Sequence, residues 1–160
     1  AAPSSWLRQS GILAPNNQVT WHAARPHNDR DLSIFKEVVN RWTKLRERLS
    51  YDELPEKLKT HKNRTSFTDR FKVVAPDVSF SHTIVAHIAK DGNYYIHPDV
   101  TQNRSLTPRE VARLQTFPDD YFFESASGQP SRTAAYKQIG NAVPVLLARR
   151  IAESIRRNWK

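Results

Sequence analysis

The 160 residues predict an α+β chain, with helices on either side of a small twisted sheet. Three observations carry this. Apolar residues recur at spacings of three and four in two long stretches, 29–49 and 142–158. Between them, 66–97 holds short β-branched and aromatic runs separated by turn formers. A shorter segment from Thr107 carries a full set of helix start and stop signals.

Residues 1–28 read as irregular, with Pro3, Gly11, Pro15, Asn16 and Asn17 as breakers. Trp6, Leu7, Ile12, Leu13 and Trp21 make this stretch apolar enough to dock on something. From 29 to 49, Leu32, Phe35, Val38, Val39, Trp42, Leu45 and Leu49 form one helical face. Lys36, Arg41, Lys44, Arg46 and Arg48 form the other, a solvated face first and a phosphate-contacting one second. Ser50-Tyr51-Asp52-Glu53 is a capping box that predicts a short helix to Lys59. THKNRT (60–65) is a polar loop. Strands are predicted at 66–74, 83–88 and 94–96, with turns at Pro76-Asp77 and Asp91-Gly92-Asn93.

Thr107 is placed as an N-cap, with Pro108 at the first helical position and Glu110 completing a capping box. Leu106 and Val111 suit a hydrophobic staple, Val111, Ala112 and Leu114 supply an apolar side, and Pro118 stops the helix. ESASGQPSRT (124–133) reads as a flexible connector. In the last predicted helix, 142–158, Val143, Leu147, Ile151, Ile155 and Trp159 recur every four residues, with Leu146 and Ala148 beside them. Pro144 is tolerable there only near the first turn. Arg149, Arg150, Arg156 and Arg157 cover the opposite side.

Net charge is +9, and the surplus lies at the two ends, because residues 51–100 hold seven basic and seven acidic side chains. Such a surplus suits a polyanionic partner, with a merely soluble basic domain as the alternative. The sequence has no cysteine, which excludes a disulfide framework and a thiolate metal site. Its six histidines lack metal-ligand spacing, so no metal is expected. No nucleophile elbow is present, and the four glycines (Gly11, Gly92, Gly128, Gly140) are too far apart for a phosphate-cradling loop. With no run of 18 apolar residues and no signal peptide evident, the expectation is no membrane association and an intracellular site, in cytoplasm or nucleoid.

The wording of two blocks goes further. NRSLTPREVARLQTFPDD (103–120) resembles the ninth motif of DNA cytosine-5 methyltransferases, and QIGNAVP (138–144), leading into an apolar helix, resembles their tenth. Their order and spacing are similar to the family's, and 63–98 resembles the end of its variable target-recognition region. The likeness is good over roughly the last 100 residues and weak over the first 60. Two departures stand out. Phe80-Ser81-His82 replaces the family's usual Pro-Ser before Thr-Ile, and Pro144-Val145 replaces its Pro-Pro.

The resemblance implies a fold, a chemistry and a set of sites. Residues 1–100 would be a target-recognition region, helical over 29–59 with a small sheet over 66–97. Residues 101–160 would hold the ninth-motif helix, the connector and the tenth motif, whose helix completes a Rossmann-like lobe with a sheet mostly outside this chain. The family moves a methyl group from S-adenosylmethionine to C5 of cytosine in duplex DNA. A cysteine thiolate adds to C6, a glutamate assists at N3, and the base first leaves the helix. Lacking cysteine, the isolated chain is expected to be inactive, and no catalytic residue is assigned in it. Asn141 and Ala142 carry over as contacts to S-adenosylmethionine, as does Phe117, which has a plain core role as its alternative. Gln138 and Gly140 would shape the turn before the last helix.

For DNA, Arg70 is the candidate for a base edge, with a salt bridge as its alternative, and Thr83 for a phosphate. His87, Lys90 and Arg64 would add groove or phosphate contacts. Arg104, Arg109 and Glu110 would be architectural, with Arg109 or Arg113 pairing with acidic neighbours. Expected partners are duplex DNA and the catalytic N-terminal half of the same enzyme, or a separate subunit. The face of Val143, Leu147, Ile151 and Ile155 would pack on that half, or drive self-association without it. The alternative is a stand-alone DNA-binding module descended from such an enzyme.

Overall fold

A computed structural model describes residues 5–13, 18–66 and 68–159. Pro3, Pro15, Asn16, Asn17 and Phe67 lie outside the described residues. Five α-helices are present: α1 (Ser5–Gln9), α2 (Asp29–Leu45), α3 (Pro108–Leu114), α4 (Arg132–Asn141) and α5 (Val145–Asn158). Three 3-10 turns cover Tyr51–Glu53, Glu56–Leu58 and Ala86–Ala89. Among the described residues no helix is long and apolar enough to cross a membrane. The chain divides into two compact units.

One unit comprises Ala24–Thr83 and Lys90–Leu106. Its helix α2 starts where the Asn28 side chain accepts the Asp31 N–H at 2.9 Å, and Asp29 and Asp31 in the first turn suit the helix dipole. It buries Ile34, Phe35, Val38 and Val39. Tyr51, Leu54, Phe71 and Ile96 join them in one core. The helix ends four residues before the predicted Leu49, because Arg46 turns left-handed (φ 58°) and donates its N–H to the Trp42 carbonyl. Leu49 is still buried, but Leu45 is exposed. The basic face is largely spent on ion pairs, Arg41 with Glu47 and Glu53, Arg46 with Asp77, and Arg48 with Asp69. The short helix predicted after Ser50 is two 3-10 turns separated by Pro55, although Glu53 does reach back to the Ser50 N–H at 2.8 Å.

The predicted sheet is not formed. Among the described residues there is no strand, only two isolated bridges, Val73 with Ile96 (parallel) and Ile96 with Ser105 (antiparallel). Lys72 and Val74 do bond across to Asn93 and Ile96. The pairing stops there because Pro76 and Pro98 cut the flanking segments, and 93–94 is itself a turn. The stretch predicted as a strand at 83–88 instead enters the 3-10 turn Ala86–Ala89. Gly92 approaches so closely that a Cβ there would lie 2.2 Å from that of Ser105, whose hydroxyl meets His27 Nε2 at 2.9 Å.

The other unit comprises Ala1–Ala23, Ile84–Ala89 and Thr107–Lys160. Helix α3 has the start its sequence announces. The Thr107 hydroxyl accepts the Glu110 N–H at 3.2 Å, and the Glu110 carboxylate accepts the Thr107 N–H at 2.7 Å. Arg109 on α3 is fully buried. Its guanidinium donates to the carbonyls of Thr20, Pro118 and Tyr121 and to the Thr20 hydroxyl, at 2.7–3.0 Å. Arg113 makes the carboxylate pair, bidentate to Asp119 at 2.8 Å on both arms. The stretch 124–130 is mostly exposed, and Gly128 there has φ +70° with open space around its Cα.

In this unit the stretch read as irregular holds the short helix α1, and two further boundaries differ from expectation. α4 takes in the end of the predicted connector, and the single helix predicted at 142–158 is preceded by a break at 142–144, so that α5 starts only after Pro144. Gln138 and Gly140 therefore lie inside a helix rather than in a turn. Gly140 is needed for another reason. A Cβ there would come within 2.6–2.7 Å of backbone atoms of Val85 and Ala86. Gly140→Ala gains about 1 kcal/mol of helix propensity but forces two backbones apart, so a net loss of about 2 kcal/mol is expected. The urea midpoint of unfolding reads this, and an unchanged or raised midpoint contradicts the close approach.

Candidate functional site

The two motif blocks meet through neighbouring residues at the end of α3. The buried Gln115 donates its amide to the carbonyls of Ile139 and Ala142, both at 3.1 Å, which caps the end of α4. The Gln115 carbonyl accepts the Val145 N–H at 3.0 Å, and the Thr116 hydroxyl accepts the Leu146 N–H at 2.9 Å, satisfying two orphan donors of the first turn of α5. Thr116 itself is left-handed (φ 58°), a conformation costly for a β-branched residue and sustained here by this bonding. Sequence reasoning did not single out Gln115 or Thr116. Their only signal is a polar pair placed between apolar Leu114 and Phe117.

Of the residues carried over for the cofactor, Asn141 is the exposed last residue of α4 and Ala142 the half-buried residue after it. Together with exposed Val143 they form the open edge of the α4–α5 corner. Such an edge can line a pocket and does not enclose one. Phe117 is buried, with ring centroids 5.0 Å from Tyr121 and 5.3 Å from Phe123, the arrangement of a core aromatic cluster. α5 has no buried residue, and Val143, Leu147, Ile151, Ile155 and Trp159 are all about half exposed or more.

The DNA candidates are not gathered in one unit. Arg64, Arg70, Thr83 and Lys90 belong to the unit of α2, and His87 to the unit of α3. Thr83, His87 and Lys90 are exposed, and the buried Tyr95 fixes the Thr83 backbone by donating its hydroxyl to the Thr83 carbonyl at 3.0 Å. Arg64 pairs with Glu56 at 2.9 Å. Arg70 is folded back onto its own loop, bonding the carbonyls of Asn63 (3.1 Å) and Ser66 (3.2 Å) over the Tyr51 ring. Next to Thr83, His82 stacks on Tyr95 and donates Nε2–H to the Tyr94 carbonyl, which fixes the tautomer of the neutral ring. Burial is the main force holding its pKa below the ordinary histidine value. Lys72 and Arg48 add to this, while the Tyr94 carbonyl and Asp69 oppose it. Among the described residues no cluster could hold a metal ion.

A chain with these paired blocks defines a protein class. A model of the C-5 cytosine-specific DNA methylase family matches residues 7–157, and the chain belongs to that family. It is 52% identical over 137 residues to the type II methyltransferase M.Bpa9945I of Bacillus paralicheniformis, covering 86% of this chain and 29% of that protein. It is 38% identical over 102 residues to the type II methyltransferase M.AgeI of Thalassovita gelatinovora, covering 64% and 22%. With M.PspPI of Psychrobacter sp. it shares 48% over 75 residues, covering 47% and 16%. The chain thus spans less than a third of these relatives. No solved structure matches it.

Two expectations test this geometry. Gln115→Leu leaves the Ile139 and Ala142 carbonyls without their shared donor and costs about 1–3 kcal/mol. Faster amide exchange at Val145 and Leu146 accompanies the loss, and unchanged exchange there contradicts the clamp. The depressed His82 pKa gives a stability contribution that is fully present above pH about 6.5 and is lost as pH falls from there through the lowered value. His82→Gln flattens that part of the profile of thermal midpoint against pH; an unaltered slope contradicts the assignment.

Proposed function

We propose that this chain is the target-recognition and cofactor-pocket-completing part of a DNA cytosine-5 methyltransferase, with the bond-making residues on polypeptide outside these 160 residues. The observation that carries the reading is a family member without a single cysteine. The family's thiolate addition to C6 has no substitute among the side chains present. Residues 1–100 are assigned to target recognition and 101–160 to the ninth and tenth motifs. S-adenosylmethionine supplies the methyl group, and Asn141 and Ala142 would line the rim of its pocket, with Phe117 supporting the wall from within the core. The uncovered apolar face of α5 supports a helix that completes a Rossmann-like lobe against the catalytic part. Thr83, His87, Lys90 and Arg64 are exposed and suited to duplex DNA, while Arg70 acts from behind its loop.

The test is transfer of a labelled methyl group from S-adenosylmethionine to duplex DNA. The chain alone is expected to transfer none, and the full-length enzyme to methylate cytosine at C5. Turnover by the chain alone overturns the argument from cysteine. A full-length protein that binds the cofactor and leaves DNA unmethylated favours a stand-alone DNA-binding module instead.

A further inference from the structure

The loop 61–66 is exposed along its whole length and yet fixed at several points. All six residues are exposed, yet the backbone is pinned at several points around one buried side chain, Tyr51. The His61 N–H donates to the Tyr51 hydroxyl at 2.8 Å, and the His61 ring stands edge-on to the Tyr51 ring at 5.6 Å. The Asn63 side chain accepts the N–H groups of Thr65 (3.2 Å) and Ser66 (2.9 Å). Arg70, its guanidinium 4.9 Å above the Tyr51 ring, holds the loop from beneath through the carbonyls of Asn63 and Ser66. The loop buries no aliphatic side chain, so apart from the His61 ring on Tyr51 its ordering comes from hydrogen bonds. It contains two basic residues, three hydroxyl or amide side chains and no acid, the donor set that meets phosphate oxygens. Arg64 is partly neutralised by Glu56, and Lys62 and Thr65 stand on either side of it as exposed donors.

We propose that the 61–66 loop is a preorganised clamp for the DNA backbone, in which Lys62 and Thr65 contact phosphate and Arg70 is a positioning residue that holds the loop without touching DNA. This rests on the DNA-binding reading of the chain and moves Arg70 from base reader to support. Preorganisation matters because an ordered loop loses less conformational entropy on binding.

The experiment is binding of the 160-residue chain to a fluorescent duplex over a salt series, with trypsin cleavage after Lys62 and Arg64 as a second readout. Lys62→Ala is expected to lower the slope of log K against log salt by about one unit. Arg70→Ala and Arg70→Lys are both expected to weaken binding about tenfold and to speed cleavage at the loop, because lysine keeps the charge but loses the guanidinium plane over the Tyr51 ring that brings Nη2 to both carbonyls. In a Lys62→Ala, Thr65→Ala background, Arg70→Ala is expected to add little, as for residues acting through one another. Full additivity shows that Arg70 touches DNA and overturns its positioning role. Unchanged loop cleavage in both Arg70 variants overturns it as well, independently of DNA. An unchanged slope in Lys62→Ala overturns the clamp alone, whereas no salt-dependent binding by the unaltered chain overturns the DNA reading beneath it.

Discussion

The unit that contains α3 is organised around Arg109. A guanidinium removed from water costs several kcal/mol unless its donors are met, and here they are met by oxygens of Thr20, Pro118 and Tyr121 rather than by a carboxylate. Burial, the main influence, pulls its pKa below the ordinary arginine range, with nearby Asp119 and Asp120 opposing and Arg113 adding to the shift. The group remains charged, since arginine stays protonated in proteins. Because Arg109 stands in the first turn of α3 and its acceptors come from two other stretches of chain, fixing one side chain fixes the approach of Thr20 and of the loop from Pro118 to Tyr121 to the start of α3. The backbone reinforces this, with Arg109 N–H on the Trp21 carbonyl and Asp119 N–H on the Ile12 carbonyl at 2.7 Å. Lysine could not replace this fork, and an apolar residue would leave several carbonyls facing nothing.

From that anchored loop the order passes to the second motif block. Gln115 and Thr116 follow directly from α3, and their four hydrogen bonds hold the end of α4 and the start of α5 as a corner. The two blocks that identify the family are thus one physical object. The first supplies donors and acceptors that the second lacks at its helix ends. The corner then presents Asn141 on its open edge and the apolar stripe of α5 beyond it. Their shared hydrogen bonds set the α4–α5 corner and its open edge in place.

What the sequence made legible follows the range of the forces involved. The start of α3 was readable because a capping box is satisfied within four residues, and both of its bonds are present. The core face of α2 was readable from periodicity, but its end was not, because Arg46 adopts a left-handed conformation with no glycine to announce it. The sheet failed because turn formers and prolines leave each run room for one bridge rather than a ladder. α4 was hidden because its apolar residues, Ala135, Tyr136 and Ile139, are few and follow a polar connector. Gly140 looked like a turn residue, and its partner lies far earlier in the chain, at Val85 and Ala86. In the candidate site, Asn141 and Thr83 are exposed, whereas the engagement of Arg70 with two carbonyls depends on loop closure that no local pattern encodes.

The exposed stretch 124–130 has a consequence for how the fold can be assembled. It closes with the Gly128 N–H on the Ser125 carbonyl and the Ser125 hydroxyl on the Gln129 carbonyl, in open space around Gly128, and the Gln138 amide ties its first residue, Glu124, to α4. The clamp between the two motif blocks is made by side chains and helix ends elsewhere, so covalent continuity at 125–130 adds chiefly the entropy of closing a loop, a term that grows only slowly with length. The two blocks are therefore mechanically joined but modular: a nick, a graft or a permuted terminus at this turn leaves every bond of the corner available to re-form.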